Sequence, residues 1–185
     1  MGKSKALLTC PDGRTFVRTL ADALRGGGVD KPLIVGRADD DLLRVEVEAF
    51  GGGARLVINE DAEHGGQLSS LLAGLQQADR PGIRALMVVP VDAPLVTSDT
   101  VATLLAAFSA TGAPILRATF EGRNGHPVVF SRAVFDELRA ADPRVGAKAV
   151  LRAHASTIVN VDVVDPAVIG DVDTPEDYRQ LLDRS

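Results

Sequence analysis

The sequence predicts a single α/β domain, and three observations support that fold class. The chain has 185 residues, which is enough for one substantial apolar core but too few for two enzymatic domains. Short aliphatic runs typical of strands buried on both faces occur at 32–36, 54–59 and 84–91. Stretches with apolar residues at helical spacing alternate with them, at 16–24, 40–50 and 69–78. Such alternation is typical of a mostly parallel sheet covered by helices.

The second half of the chain interrupts this order with a predicted antiparallel hairpin. A helix at 98–110, capped by Thr97 or Ser98, leads into it. The hairpin has strands at 114–120 and 126–130, joined by the turn-rich segment 121–125. Further helices are expected at 133–140 and 147–155, then a strand at 157–164 and a last helix that Thr174 caps and Pro175 begins.

Composition excludes several classes of function. Hydrophobic residues make up 45% of the chain, charged residues 24%, and the mean hydropathy is +0.11, as in ordinary globular proteins. The net charge of −5 and the pI near 5.2 argue against binding to nucleic acid or anionic membranes. Cys10 is the single cysteine, and no apolar run is long enough for a membrane span. We therefore expect a cytoplasmic protein without nucleic-acid or membrane partners.

Asp92 is the first candidate for a functional residue. It follows the apolar run 84–91, at the end of a predicted strand where open α/β sheets bind ligands. Magnesium commonly takes one or two carboxylates together with substrate phosphates, so Asp92 suits a Mg²⁺ site. An equally good interpretation is that Asp92 only caps the turn before Pro94.

A second acidic cluster lies at 170–177, with the sequence Gly-Asp-Val-Asp-Thr-Pro-Glu-Asp. In an extended backbone, alternate residues point the same way, so Asp171 and Asp173 could share a metal with Asp92. The alternative is structural, because Asp173 and Thr174 before Pro175 are also typical of a helix start. The residue pattern alone favours that alternative.

Three other segments offer candidate ligand contacts. Glycines and hydroxyls at 65–70 mark a helix start whose free amides suit a phosphate or a base edge, although a plain cap has the same composition. Arg123 and His126 lie on a predicted turn and suit an anionic substrate, although a solvated hairpin tip would look similar. Lys5 could contact phosphate, although most lysines only solubilise a surface.

Taken in order, these segments resemble the MobA-like nucleotidyltransferases, and most closely their molybdenum cofactor cytidylyltransferase branch. The segment 1–8 is similar to the end of the family signature L-A-A-G-x-S-x-R-M-G-x-x-K-x-L-L. The segment 66–71 resembles G-M-S-x-S-L, and 91–94 resembles V-D-x-P. The segment 122–127 resembles G-R-x-G-H-P, and 171–177 resembles D-I-D-T-P-E-D. Each motif is weak alone, whereas five in the right order are specific.

The resemblance implies a three-layer Rossmann-like fold, here as one domain over 1–185, and a reaction. A nucleoside monophosphate would pass from CTP to a phosphorylated acceptor, the molybdopterin cofactor, with release of pyrophosphate and with Mg²⁺ as cofactor. Lys5 and Asp92 would be catalytic, and a molybdenum hydroxylase would be a possible protein partner. The remaining implied roles are metal binding by Asp92, Asp171 and Asp173, nucleotide binding by Gly2, Lys5, Gly66, Gln67, Ser69 and Ser70, and acceptor binding by Arg123 and His126.

The resemblance leaves alternatives open. The nucleotide could be GTP instead of CTP, and the acceptor could be a sugar phosphate. The family's first strand and the L-A-A-G-x-S-x-R part of its signature have no counterpart in the sequence. We therefore expect either a start upstream of Met1 or impaired nucleotide binding. The second case predicts a protein of another class, a non-catalytic carrier of the molybdenum cofactor.

Overall fold

The computed structural model describes residues 4–183, in which strands and helices alternate along most of the chain. The strands are β1 Leu33–Arg37, β2 Arg55–Asn59, β3 Ala85–Val88, β4 Ile115–Phe120, β5 Arg123–Ser131 and β6 Val159–Asp162. The α-helices are α1 Phe16–Gly26, α2 Asp41–Glu48, α3 Gly66–Ala78, α4 Ser98–Thr111, α5 Phe135–Arg139, α6 Lys148–Ala153 and α7 Pro175–Leu182. Short 3-10 turns lie at Lys5–Leu7, Arg132–Val134 and Pro166–Ile169. None of the described helices has the length and apolar character needed to cross a membrane.

The described strands form two sheets. Strands β1 and β2 pair in parallel, and a second sheet has the order β3-β5-β4-β6. Strand β5 runs antiparallel to both β3 and β4, whereas β6 is parallel to β4. The α/β class and the antiparallel hairpin are thus confirmed. The sequence predicted a mostly parallel sheet, and the pairings are mixed because β5 runs opposite to both of its neighbours.

The turn of the hairpin is shorter than the sequence predicted. Strand β4 ends at Phe120 and β5 begins at Arg123, so two residues make the turn instead of the segment 121–125. Those residues, Glu121 and Gly122, have φ values of 49° and 74°. Two consecutive positive φ angles match a type I′ turn, whose twist suits a hairpin. The prediction of a five-residue turn was wrong, because the local sequence does not signal this tight turn. As a result, Arg123 lies on strand β5.

Helices pack on both faces and join the two sheets into three layers. On one face, α3 contacts β1, β2 and β3, and Gly74 lies against Val35. On the other face, Val17 and Ala21 of α1 share a core cluster with Ile34 of β1. Since Ile34 and Val35 are adjacent in a strand, their side chains point to opposite faces. Helix α1 also packs near Met87 of β3, so helices connect the sheets on both sides.

The segment before α7 is fixed against the second sheet. Asp165 accepts hydrogen bonds from the backbone N–H and Oγ1 of Thr97 and from Oγ1 of Thr100, at 2.8–3.0 Å. The following turn packs so closely on β5 that a Cβ atom on Gly125 would lie 2.0 Å from the carbonyl oxygen of Val168. Val168 is fully buried. A residue without a side chain at position 125 therefore sets the path of the chain towards Asp171.

The first prediction concerns this close approach. We expect Gly125→Ala to lower the free energy of unfolding by about 1–3 kcal/mol, because backbone atoms of Val168 would have to move. Gly170→Ala is the matched control, since its Cβ would meet nothing nearer than 3.7 Å. Urea unfolding of both variants measures the difference. Equal stability of Gly125→Ala and the parent protein would contradict the packing described for this turn.

Candidate active site

The candidate site forms where two acidic segments meet. Asp92 is half-buried in the loop that follows β3. The backbone N–H of Val172 donates a hydrogen bond of 2.7 Å to the carbonyl oxygen of Asp92. The Val172 side chain is buried in a cluster with Phe16, whereas its neighbours Asp171 and Asp173 are exposed. The contact therefore places both exposed carboxylates beside the Asp92 loop.

The charges in this region act on one another. Burial raises the pKa of the Asp92 carboxyl, and the negative charges of Asp171 and Asp173 raise it further. The positive charge of Lys5 acts in the opposite direction. Such charge effects grow as the groups approach and as burial lowers the local dielectric constant. The structure thus brings together Asp92, Asp171, Asp173 and Lys5, four of the residues selected from the sequence.

Lys5 already has a partner in this cluster. Its Nζ atom lies 2.8 Å from Oδ1 of Asp173. The chain around Lys5 is fixed by Tyr178 of α7, whose hydroxyl donates to the carbonyl oxygen of Thr9 at 3.1 Å. The Tyr178 ring also packs edge-on against Phe16. Helix α7 therefore positions Lys5 as well as the acidic residues that precede the helix.

The donor set suits a hard divalent cation that binds through few protein ligands. Within residues 4–183, no three Asp, Glu, His or Cys side chains are grouped closely enough to hold a metal ion by themselves. The cluster has three carboxylates and one lysine, which leaves surplus negative charge. Mg²⁺ is usually held by one or two carboxylates and completed by water and phosphate oxygens. These residues fit such a cation in the presence of a phosphorylated substrate.

The segment 170–177 also begins a helix, as the alternative interpretation predicted. The residues that cap this helix are not Asp171 and Asp173. Thr174 accepts from the backbone N–H of Asp177, and Asp177 Oδ2 accepts from the backbone N–H of Thr174, which makes a capping box. Hydrogen bonds from Thr174 lower the pKa of Asp177. Capping thus uses Thr174 and Asp177, while the carboxylates of Asp171 and Asp173 stay outside the cap.

His126 and Arg123 lie beside this acidic cluster. Both were expected on an exposed turn, but they belong to β5, and His126 is half-buried because the tight hairpin turn ends before it. Burial lowers the pKa of His126, which favours the neutral imidazole, against the opposing effect of Asp171 and Asp92. Its Nδ1 atom is buried and has no hydrogen-bond partner among residues 4–183. That atom is therefore an unpaired polar group inside the fold.

A cavity of about 330 Å³ connects these groups. Arg123, His126 and Asp171 line it, together with Asn124 and Gly125. Asp171, one member of the acidic cluster, thus shares a space with the two residues expected to bind an acceptor. Its size is at the lower end of the range typical of small-molecule sites.

The segment predicted to bind nucleotide, at the start of α3, uses its serine hydroxyls in hydrogen bonds within the protein. The helix begins at Gly66, three residues before the start predicted from the sequence, and Gly65 provides no side-chain cap. Asn59 Nδ2 donates to the hydroxyls of Ser69 and Ser70 at 2.8 and 3.0 Å. Both hydroxyls therefore contribute to a local network, whereas no side chain of residues 4–183 caps the first backbone amides of the helix.

This segment makes no direct polar contact with Asp92 in the part of the chain that the structure describes. Within residues 4–183, no hydrogen bond, ion pair or resolved charge effect joins 66–70 to Asp92. Gly2, which was also expected to contact nucleotide, lies outside the described residues. Sequence reasoning missed Asn59, which is buried at the end of β2 and organises the start of α3. A polar residue at the end of an apolar strand was the available signal.

Sequence comparison identifies relatives of the chain. Residues 1–158 match the MobA-like NTP transferase domain. A molybdenum cofactor guanylyltransferase from Ralstonia nicotianae is 31% identical over 149 residues, which cover 74% of this chain and 70% of that protein.

Structural comparison gives the same family of folds. The crystal structure of Rv0371c from Mycobacterium tuberculosis H37Rv has a TM-score of 0.79 at 25% identity, and the match covers 99% of this chain and 90% of that one. A complex of the same protein with manganese has a TM-score of 0.76 at 26% identity, covering 98% and 92%. The Rossmann-like nucleotidyltransferase fold is therefore confirmed, and the chain belongs to the MobA-like NTP transferase family.

Proposed function

We propose that this nucleotidyltransferase transfers CMP from CTP to the phosphate of an acceptor of the molybdopterin class, with Mg²⁺ as the cation and pyrophosphate as the second product. The observation that supports this best is the hydrogen bond between Val172 and Asp92, which places carboxylates from two distant segments together. The motif resemblance to the cytidylyltransferase branch supports the choice of nucleotide and acceptor.

The acidic cluster would hold the cation and the triphosphate. Asp92, with Asp171 or Asp173, would bind a divalent cation. When bound, this cation would neutralise part of the negative charge of the phosphates. Lys5 would exchange its ion pair with Asp173 for a phosphate oxygen, because both partners are partly exposed to solvent. Amides at the start of α3, from Gly66 and Gln67, would contact the nucleotide, with Ser69 and Ser70 shaping that turn.

The acceptor would approach from the cavity beside β5. Arg123 and His126 would bind its phosphate, since both residues line this cavity. An oxygen of that phosphate would attack the α-phosphorus, while the bond from that phosphorus to the bridging oxygen breaks and pyrophosphate leaves. An ionised phosphate is already a nucleophile, so positioning and electrostatics would supply most of the acceleration, without a covalent intermediate.

A second candidate, transfer of GMP from GTP, is favoured by one observation. The Ralstonia nicotianae relative is a molybdenum cofactor guanylyltransferase. The two candidates share the site and the chemistry and differ in the base that is read.

Nucleotide choice gives the second prediction. We expect CTP to support turnover and GTP to support at least about tenfold less, which corresponds to about 1.4 kcal/mol of selectivity. The measurement is pyrophosphate release with each triphosphate in the presence of Mg²⁺ and molybdopterin. Faster turnover with GTP would replace the cytidylyl proposal with the guanylyl one. Calorimetry that finds molybdopterin bound but neither nucleotide would instead support a carrier.

The third prediction concerns Asp92 in turnover. We expect Asp92→Asn to reduce the rate by at least about 100-fold, because the variant loses a charged oxygen at the place where triphosphate charge must be offset. The matched control is Asp30→Asn, which removes an exposed carboxylate from the loop before β1. An unchanged rate in Asp92→Asn, with circular dichroism like the parent, would remove Asp92 from the mechanism.

The fourth prediction uses the same variant to measure stability. The pKa of Asp92 is raised above its ordinary value of 3.8, so the folded state disfavours the carboxylate. The contribution of Asp92 to folding stability is fully present below its pKa in the unfolded chain. It is lost as the pH rises through the raised pKa of the folded state. At pH 7 without metal, Asp92→Asn should therefore be more stable than the parent, and the gain should vanish in acid.

Urea unfolding across a pH series checks this expectation. Added Mg²⁺ or Mn²⁺ should stabilise the parent but not Asp92→Asn, because the cation binds only the folded protein that retains the carboxylate. A variant that is less stable than the parent at pH 7 would contradict the electrostatic description of the cluster.

A further inference from the structure

A second cavity adjoins the first and has a different electrostatic character. It has a volume of about 250 Å³ and lies where β4 packs near α6. Arg117 and Leu151 line both cavities, so the two spaces are neighbours. Lys148 and Arg152 complete the charged part of its wall. We call Arg117, Lys148 and Arg152 the distal cations, because all three line the cavity that does not include Asp171.

The distal cations lack acidic partners. Within residues 4–183, none of them, nor Arg123, forms an ion pair with a carboxylate. Most other arginines do, and these paired arginines are Arg14, Arg18, Arg37, Arg44, Arg132, Arg139, Arg144 and Arg179. In a chain with net charge −5, unpaired cations that gather around one cavity indicate an anionic ligand.

Arg117 carries the strongest part of this argument. Its Nε and Nη2 atoms donate to Oδ1 of Asn160 at 3.2 and 2.9 Å, so its only side-chain partner among the described residues is a neutral amide. The side chain is half-buried, and burial lowers its pKa. A partly desolvated guanidinium without a counter-charge is costly, and an anion in the adjoining cavity would offset that cost.

We propose that the distal cations form an anion subsite of the acceptor cavity, and that the acceptor therefore carries a second anionic group away from its reacting phosphate. This inference rests on the proposed function, because that function places the acceptor in the cavity of Arg123 and His126. The reacting phosphate would lie at the acidic end, where a metal ion is expected, and the second anion would lie among the distal cations. The alternative anion for this subsite is the triphosphate of the nucleotide, and kinetics distinguishes it from the acceptor.

The experiment compares ligands with one and two anionic ends. Calorimetry without metal would measure the binding of propyl phosphate and of a series of alkane bisphosphates of increasing length. We expect the parent protein to bind the best bisphosphate at least about tenfold more tightly than propyl phosphate. In Lys148→Gln/Arg152→Gln, which changes two exposed side chains, this preference should fall to about twofold or less. Adding Arg117→Gln should remove what remains of it.

The matched control is Lys31→Gln/Arg80→Gln, which removes the same charge from exposed positions outside both cavities. This control should keep the preference of the parent. A preference that survives in Lys148→Gln/Arg152→Gln, or that falls equally in the control, would overturn the proposed subsite.

Kinetics separates the two sources of anion. In Lys148→Gln/Arg152→Gln, we expect the KM for the acceptor to rise at least about tenfold, with kcat and the KM for the nucleotide unchanged. A raised KM for the nucleotide would assign the cations to the triphosphate and overturn the inference. If the protein transfers no nucleotide at all, the proposed function fails, whereas the bisphosphate titration still tests the subsite.

Discussion

The hydrogen bond from the backbone N–H of Val172 to the carbonyl oxygen of Asp92 is the contact on which the candidate site depends. It joins two loops that are distant in sequence, and apolar packing fixes it, since Val172 is buried with Phe16 and Leu181. A hydrogen bond alone adds only about 1 kcal/mol, so the buried side chains must supply most of the docking energy. The exposed carboxylates are therefore positioned by the hydrophobic core beneath them.

This arrangement has an electrostatic cost. Docking the loops brings like charges together and raises the pKa of Asp92, while Lys5 compensates for part of the negative charge through its ion pair with Asp173. Conflict between stability and local charge is typical of functional sites, because a site optimised for the empty protein would leave no binding energy for its ligand. A cation and a phosphate group would relieve both the surplus charge and the need for the internal ion pair.

Sequence reasoning located the elements well where the signal was local. The strands, the major helices and the hairpin followed from periodicity, and the acidic segments were visible as motifs at the ends of apolar runs. It failed where geometry decided the outcome. In the hairpin turn, Glu121 adopts a positive φ, which is uncommon for a residue other than glycine. The close approach of Val168 to Gly125 is a contact between segments that are distant in sequence. Neither leaves a recognisable pattern in one sequence.

The distal cations show the same limit more clearly. Arg117 lies on β4, whereas Lys148 and Arg152 lie on α6, and no short motif contains all three. Only the folded chain places them around one cavity, next to the space that holds His126 and Asp171.

The result is a pair of adjoining cavities with Asp171 on the wall at one end and the distal cations at the other. Such a gradient orients a bipolar or doubly anionic ligand before any short-range contact forms, because opposite ends of the ligand experience different potentials. At the end near Asp171, Arg123 and His126 would take an anion and a metal ion would strengthen its binding, whereas the distal cations would take an anion without a metal ion. A ligand with two anionic groups would therefore bind its first anion at the basic end and present the other to the acidic cluster, which is the orientation that in-line attack on a bound nucleotide requires.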